Sequence, residues 1–241
     1  MVINVHAGHN PDGKVACGAI GIIQESTEAR KVKNEVIRQL RQLGHTVYDC
    51  TCDNGISQAN VLTQIVNACN AHNADLDVSI HFNAGASDKS GNGKTTGTEV
   101  YVYSTTSKAK TYAEKVCAAI AALGFTNRGV RISTSLYFLK KTNAPAMLIE
   151  CCFVDDKDDV QLYDYQSMAA AIAYGITGKK VTKVADTESD KEASASGAET
   201  TTGDAKQIYR VQVGAYSVKS NADSMAAKLK AAGYDALVIK S

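Results

Sequence analysis

What most constrains the fold of this chain is the alternation of short buried-type strands with helical stripes. Val2-Ile3-Asn4-Val5, Val78-Ser79-Ile80 and Met147-Leu148-Ile149 are short apolar runs. Between them lie segments whose apolar residues recur every three or four positions. Ala29, Val32, Val36, Leu40 and Leu43 mark a helix over about 25–43 that Gly44 stops. Residues 45–49 read as a second strand, and Val61, Leu62, Ile65, Val66 and Cys69 stripe a helix over about 57–71. A strand through His81, a polar loop over 85–96 and a strand at 98–103 follow, then a helix over 107–123. Extended pieces are predicted near 129–133 and 136–140, and mostly helical structure over 155–175. Strands separated by helices imply an α/β fold, a mostly parallel twisted sheet with helices on both faces, in a domain of residues 1–178.

Composition changes after Lys180. Ala185 to Lys206 holds no Leu, Ile, Phe or Tyr and cannot bury enough apolar surface to offset its ordering entropy. Residues 179–206 are therefore predicted to be a flexible linker. From Ile208 the pattern returns as strand, helix and strand, a small βαβ unit over 207–241. Fewer than about 40 residues rarely hold a core alone. The unit is expected to pair with a second copy, giving a homodimer, to dock on the larger domain, to remain incompletely ordered, or to be a truncated remnant.

A formal net charge of +1 argues against general nucleic-acid binding, and no apolar run approaches the ~20 residues of a membrane span. Seven cysteines, an odd number at core-type positions, fit reduced thiols better than a disulfide framework. Met1 leads straight into the first strand without a basic and apolar leader, so synthesis in the cytoplasm is expected.

His9 and His81 each follow a β-branched run, at the strand ends where open α/β sheets place their chemistry. Two imidazoles there point to a metal. Zinc in hydrolases commonly takes three ligands from His, Asp and Glu and leaves a fourth position for water. Glu25, at the first turn of the first long helix, and Glu150, at the end of the Met147 strand, are the candidate carboxylates. Glu28 rivals Glu25 one turn on, with solvent exposure its expected role. His6 is open between supporting the site and packing, and His45 and His72 are expected at the surface. Cys50/Cys52 and Cys151/Cys152 lack the spacing of a structural zinc site.

Residues 1–178 resemble the zinc-dependent N-acetylmuramoyl-L-alanine amidases of the type 3 family. The landmarks are Gly8-His9, Gly18-Ala19-Ile20-Gly21, Gln24-Glu25-Ser26, Ser79-Ile80-His81-Phe82-Asn83-Ala84 and Leu148-Ile149-Glu150-Cys151-Cys152-Phe153, in order. The resemblance implies zinc held by His9, Glu25 and His81, with Glu150 as the catalytic acid and base. The implied reaction is hydrolysis of the amide between N-acetylmuramic acid and L-Ala in bacterial peptidoglycan by zinc-activated water. Asn83, Asn127 and Arg128 are candidate substrate contacts, with Arg128 available to a peptide carboxylate such as that of D-Glu. The chain departs from the family pattern in two places. His6 stands where many members have Asp, and no Arg lies between residues 42 and 127, where members commonly carry one before the second histidine strand.

Tyr209 to Ser217, Asn221-Ala222 and Gly233-Tyr234 resemble the opening of a SPOR domain, a peptidoglycan-binding module, which implies a partial cell-wall-binding unit. A wall substrate with no export leader implies release after synthesis, and a lytic endolysin is favoured over a sporulation lysin. A zinc peptidase acting on stem peptides and a non-catalytic wall-binding protein are the alternatives. The second would be expected to lose Glu150 or a ligand.

Overall fold

The computed structural model describes residues 1–181 and, beyond them, only Ala226 and Val238. The predicted linker and βαβ unit therefore lie outside the described residues. Within them the element order is β1 (Val2–Ala7), α1 (Glu25–Gln42), β2 (Thr46–Asp49), α2 (Gln58–Asn70), β3 (Leu76–Asn83), β4 (Thr98–Val102), α3 (Lys110–Ala121), β5 (Asn127–Ile132), α4 (Tyr137–Lys141), β6 (Ala146–Phe153), α5 (Lys157–Leu162) and α6 (Tyr165–Thr177).

The strands form one sheet in the order β2-β1-β3-β6-β4-β5. β2, β1, β3 and β6 run parallel, as their apolar runs require. β4 is antiparallel to β6 and β5 parallel to β4, so the sheet is mixed. That reversal places the C-terminal ends of β1, β3 and β6 on the same rim as the N-terminal ends of β4 and β5. The loop of residues 84–97 runs along this rim between β3 and β4.

α1, α3 and α6 pack together on one face, over Ile3, Val5, Val78, Ile80, Val100, Met147 and Ile149, all fully buried. α2 and α4 cover part of the other face, where Val61, Ile65, Phe138 and Leu139 meet Ala146 and Leu148. Helix starts follow local chemistry. Ser57 caps α2 by accepting from Asn60 N at 3.2 Å, and Asp164 caps α6 by accepting from Ser167 N at 2.8 Å. α1 has no side-chain cap, but carries Glu25 and Glu28 in its first turn, where the helix dipole favours negative charge.

The extended piece expected at 136–140 is instead the short helix α4. Phe138 and Leu139 both reach the core beside α2. One turn is too short for its periodicity to separate helix from strand. The seven cysteines are all free, six of them buried. Among the described residues no helix is long and apolar enough to cross a membrane.

Candidate metal centre

The rim gathers His9, Glu25 and His81. Gly8 N donates to Ile80 O at 2.9 Å, which holds the chain after β1 against β3 and leaves His9 with φ of 64°. Glu25 reaches the same point from the N-terminus of α1. Its Oε1 stands 2.9 Å from His81 Nδ1 and 3.3 Å from His9 Nε2. Glu25 is fixed from behind, accepting from Phe82 N at 3.2 Å and Ala19 N at 2.8 Å. Burial pushes its carboxyl up, but the hydrogen bonds and charges of His81 and His9 outweigh this and hold it well below the usual carboxylate range.

Two glycines make the approach feasible. A Cβ on Gly8 would lie 2.0 Å from His81 Cε1, inside the ring's contact distance. A Cβ on Gly18, at φ of 82°, would lie 2.5 Å from Glu25 Oε2 and 2.8 Å from His9 Cδ2.

One ligand atom from each of the three residues lies within 4.8 Å of the other two. Ligand atoms around a tetrahedral ion with bonds of ~2.0–2.1 Å stand roughly 3.3 Å apart, close to the two separations to Glu25. The donor set of two imidazoles and one carboxylate, one position short of four, fits a metal ion with an open site.

Glu150 sits beside this triad. It is the direct register partner of His81 on β3 and of Glu99 on β4. Its Oε2 is buried with no hydrogen-bond partner among the described residues. Burial, with the charges of Glu25 and Glu99, pushes its carboxyl up to about 8. Such a group is suited to taking and returning a proton near neutral pH.

The expected substrate contacts occupy the same rim. Asn83 gives its side-chain NH to Glu99 Oε1 at 2.9 Å and accepts from Ala84 N at 2.8 Å. Exposed Asn127 accepts from Gly129 N at 2.9 Å and shapes the start of β5. Arg128 donates from Nε to Glu99 Oε2 at 3.0 Å and lies over the Phe153 ring, 5.0 Å from its centroid.

Glu28 differs from its expected surroundings, and His6 takes one of the two roles left open for it. Glu28 is not a solvated residue: it accepts from Tyr163 OH at 3.1 Å and Lys31 Nζ at 2.8 Å. His6 is a packed side chain, 1% exposed and edge-on to Phe138, and burial pushes it down to about 3. His72 is half-buried, its ring stacked on Tyr48.

Sequence reasoning missed Arg30, Glu99, Tyr101 and Arg131. Arg30 Nη2 donates to His9 O at 2.9 Å, Cys52 O at 3.1 Å and Asp53 Oδ1 at 2.6 Å, so a cation from α1 braces the first histidine. Glu99 was legible as a lone carboxylate in the apolar strand Thr98–Val102. Arg131 was not, because strand alternation puts it on the opposite face from Arg128. A bulge in β5, where Thr98 pairs Asn127 but Val100 pairs Val130, inserts one residue at Gly129 and removes that alternation.

The loop of residues 84–97, which contains the polar stretch expected over 85–96, is strapped to the segment after β6. Asp155 accepts from the backbone N of Gly85, Ala86 and Ser87, Asp158 from Asn92 and Gly93, Asp156 from Thr96 and Asp159 from Gly97.

Two family models match the chain. The family model described as N-acetylmuramoyl-L-alanine amidase matches residues 3–178, and a SPOR domain model matches residues 183–241. The chain is 36% identical over 167 residues to an uncharacterized protein of Clostridium perfringens, covering 68% of this chain and 47% of that one. It is 33% identical over 180 residues to the N-acetylmuramoyl-L-alanine amidase CwlM of Bacillus licheniformis, covering 74% of this chain and 62% of that one. The catalytic domain of the CD27L endolysin targeting Clostridia Difficile superposes with a TM-score of 0.67 at 26% identity, covering 76% of this chain and 99% of that one. The chain spans about half the length of the first two curated relatives it matches.

Proposed function

This chain belongs to the N-acetylmuramoyl-L-alanine amidase family, and from that premise we propose that it hydrolyses the amide between N-acetylmuramic acid and L-alanine in bacterial peptidoglycan. The observation that carries the reading is the convergence of His9, Glu25 and His81 within 4.8 Å beside Glu150, whose buried Oε2 has no hydrogen-bond partner among the described residues. His9, Glu25 and His81 would hold Zn2+, which when bound polarises the scissile carbonyl and stabilises the charge that develops on its oxygen.

The chain's own groups then divide the work. Glu25 supplies the negative ligand, its carboxylate held in place by Phe82 N and Ala19 N. Glu150 takes the proton of the attacking water and passes it to the departing L-Ala amine, so no covalent enzyme intermediate forms. Asn83, Asn127 and Arg128, on the same rim, receive the peptide. The domain layout we propose is 1–178 for catalysis, 179–206 as a tether and 207–241 as the wall-binding unit, in which pairing of two copies would give a homodimer. We assign the protein to lytic release as an endolysin, acting on the wall once it leaves the cell that made it.

The test is digestion of purified peptidoglycan by the wild type and Glu150→Gln, with products resolved by mass spectrometry and zinc measured on both proteins. The expected result is release of peptides with a free L-Ala amino terminus by the wild type, and a variant that keeps zinc and loses activity by a factor of about 10²–10⁴. Cuts within the stem peptide would make it a peptidase, and no cut with bound wall would make it a binding protein.

A further inference from the structure

Glu99 is a charged residue with a side chain only 4% exposed, facing the rim from β4. Four donors converge on it. Arg128 Nε and Arg131 Nε reach Oε2 at 3.0 and 3.3 Å, and Asn83 Nδ2 and Tyr101 OH each reach Oε1 at 2.9 Å. Burial pushes the Glu99 carboxyl up, and the bonds from Arg128, Tyr101 and Arg131 more than reverse this. The hub is thus an ionised carboxylate under two guanidiniums, with one surplus positive charge.

Each arginine is held by its Nε alone. Among the described residues the Nη atoms of Arg128 and Arg131 donate no hydrogen bond, and their side chains are 33% and 50% exposed. Two adjacent guanidinium edges, fixed from behind and open in front, match the planar bidentate geometry of a carboxylate. The bulge at Gly129 brings both to one face, and bulges recur where a strand must re-aim a side chain beside a site. The distance also fits. β5 lies two strand spacings from β6 and Glu150, about 10 Å, and the stacking of Arg128 on Phe153 at the end of β6 brings its guanidinium back toward the site. In an extended peptide the second residue beyond a scissile amide stands roughly 7 Å from it.

We propose that Arg128 and Arg131, positioned by Glu99, form a subsite for the free carboxylate of the second peptide residue after the scissile amide, and that the protein thereby selects acidic over amidated stems. The inference rests on the amidase reading for the placement of the peptide. Glu99 is a positioning residue in it, and the arginines are the binding groups.

The experiment measures binding by calorimetry on zinc-loaded Glu150→Gln protein. The ligands are two muramoyl dipeptides that differ only in a carboxylate or a carboxamide at the second residue. The expected result is at least about tenfold tighter binding of the acid. Arg131→Gln, at a half-exposed position, is expected to lower that ratio severalfold while leaving the affinity for the amide unchanged, and Glu99→Gln to weaken the acid alone. Wild-type turnover should show the same preference in KM rather than kcat. Equal affinities for the two ligands, or a ratio unchanged in Arg131→Gln, would overturn the subsite. Acid-selective binding without cleavage by the wild type would leave the subsite standing and sink the amidase reading.

Discussion

Removing Asp159 should loosen the rim where β6 ends and β4 begins. Its side chain is fully buried, and its carboxylate accepts from Phe153 N at 2.8 Å and from Gly97 N at 3.0 Å. One of these N–H groups ends β6 and the other precedes β4, so a single side chain joins the strand that carries Glu150 to the strand that carries Glu99. Asp159→Ala leaves two buried N–H groups without acceptors. At about 1–3 kcal/mol for each, the loss is roughly 2–6 kcal/mol, a large part of the ~5–15 kcal/mol that holds a domain folded. Asp159→Asn keeps one oxygen at the Oδ2 position, which serves both donors, and burial already pushes the Asp159 carboxyl up. The amide should therefore cost less than half as much as the alanine. Urea unfolding of the full chain followed by circular dichroism measures both, and thermal unfolding should show a Tm lower by very roughly 4–20 °C in the alanine variant. A loss under ~1 kcal/mol in Asp159→Ala, or an Asn variant as unstable as the alanine one, would refute the reasoning.

Two further outcomes follow from the site. Gly8→Ala places a Cβ 2.0 Å from His81 Cε1, so His81 must leave its position; zinc affinity, measured by chelator competition, should fall by about 10–100-fold, and wild-type affinity would refute the packing argument. His6 is pushed down from 6.5 to about 3 by burial, so between these values the unfolded chain takes up a proton that the folded one refuses. Its stability contribution is complete above pH 6.5 and is lost as pH falls toward 3, by up to roughly 5 kcal/mol. His6→Leu, unfolded by urea beside the wild type with chelator present, should show a shallower loss of stability between pH 6.5 and 4.5. Parallel curves would sink the assignment.

Much of the site was legible because its signals are local. A histidine after a β-branched run, a glycine before it and a glutamate opening a helix are each readable within a few residues. The parallel core strands constrain where their ends must lie. The rim loop could be recognised from composition, but not the aspartates that strap it, because Asp155 and Gly85 are far apart in the chain and meet only through the sheet order β3-β6-β4. α4 was misread for want of length, and Glu28 because a first-turn glutamate looks solvated until Tyr163 arrives from the far end of the domain.

What the chain determined by itself was thus the element alternation and the identity of the residues at the strand ends, since both depend on near-neighbour periodicity and burial. The tertiary structure alone decided the antiparallel joining of β4 to β6, which sets Glu99 opposite Glu150, and the bulge at Gly129 that turns Arg128 and Arg131 to one carboxylate. Register and bulges arise from pairing between strands distant in sequence, and a shift of one residue exchanges the faces of every side chain beyond it.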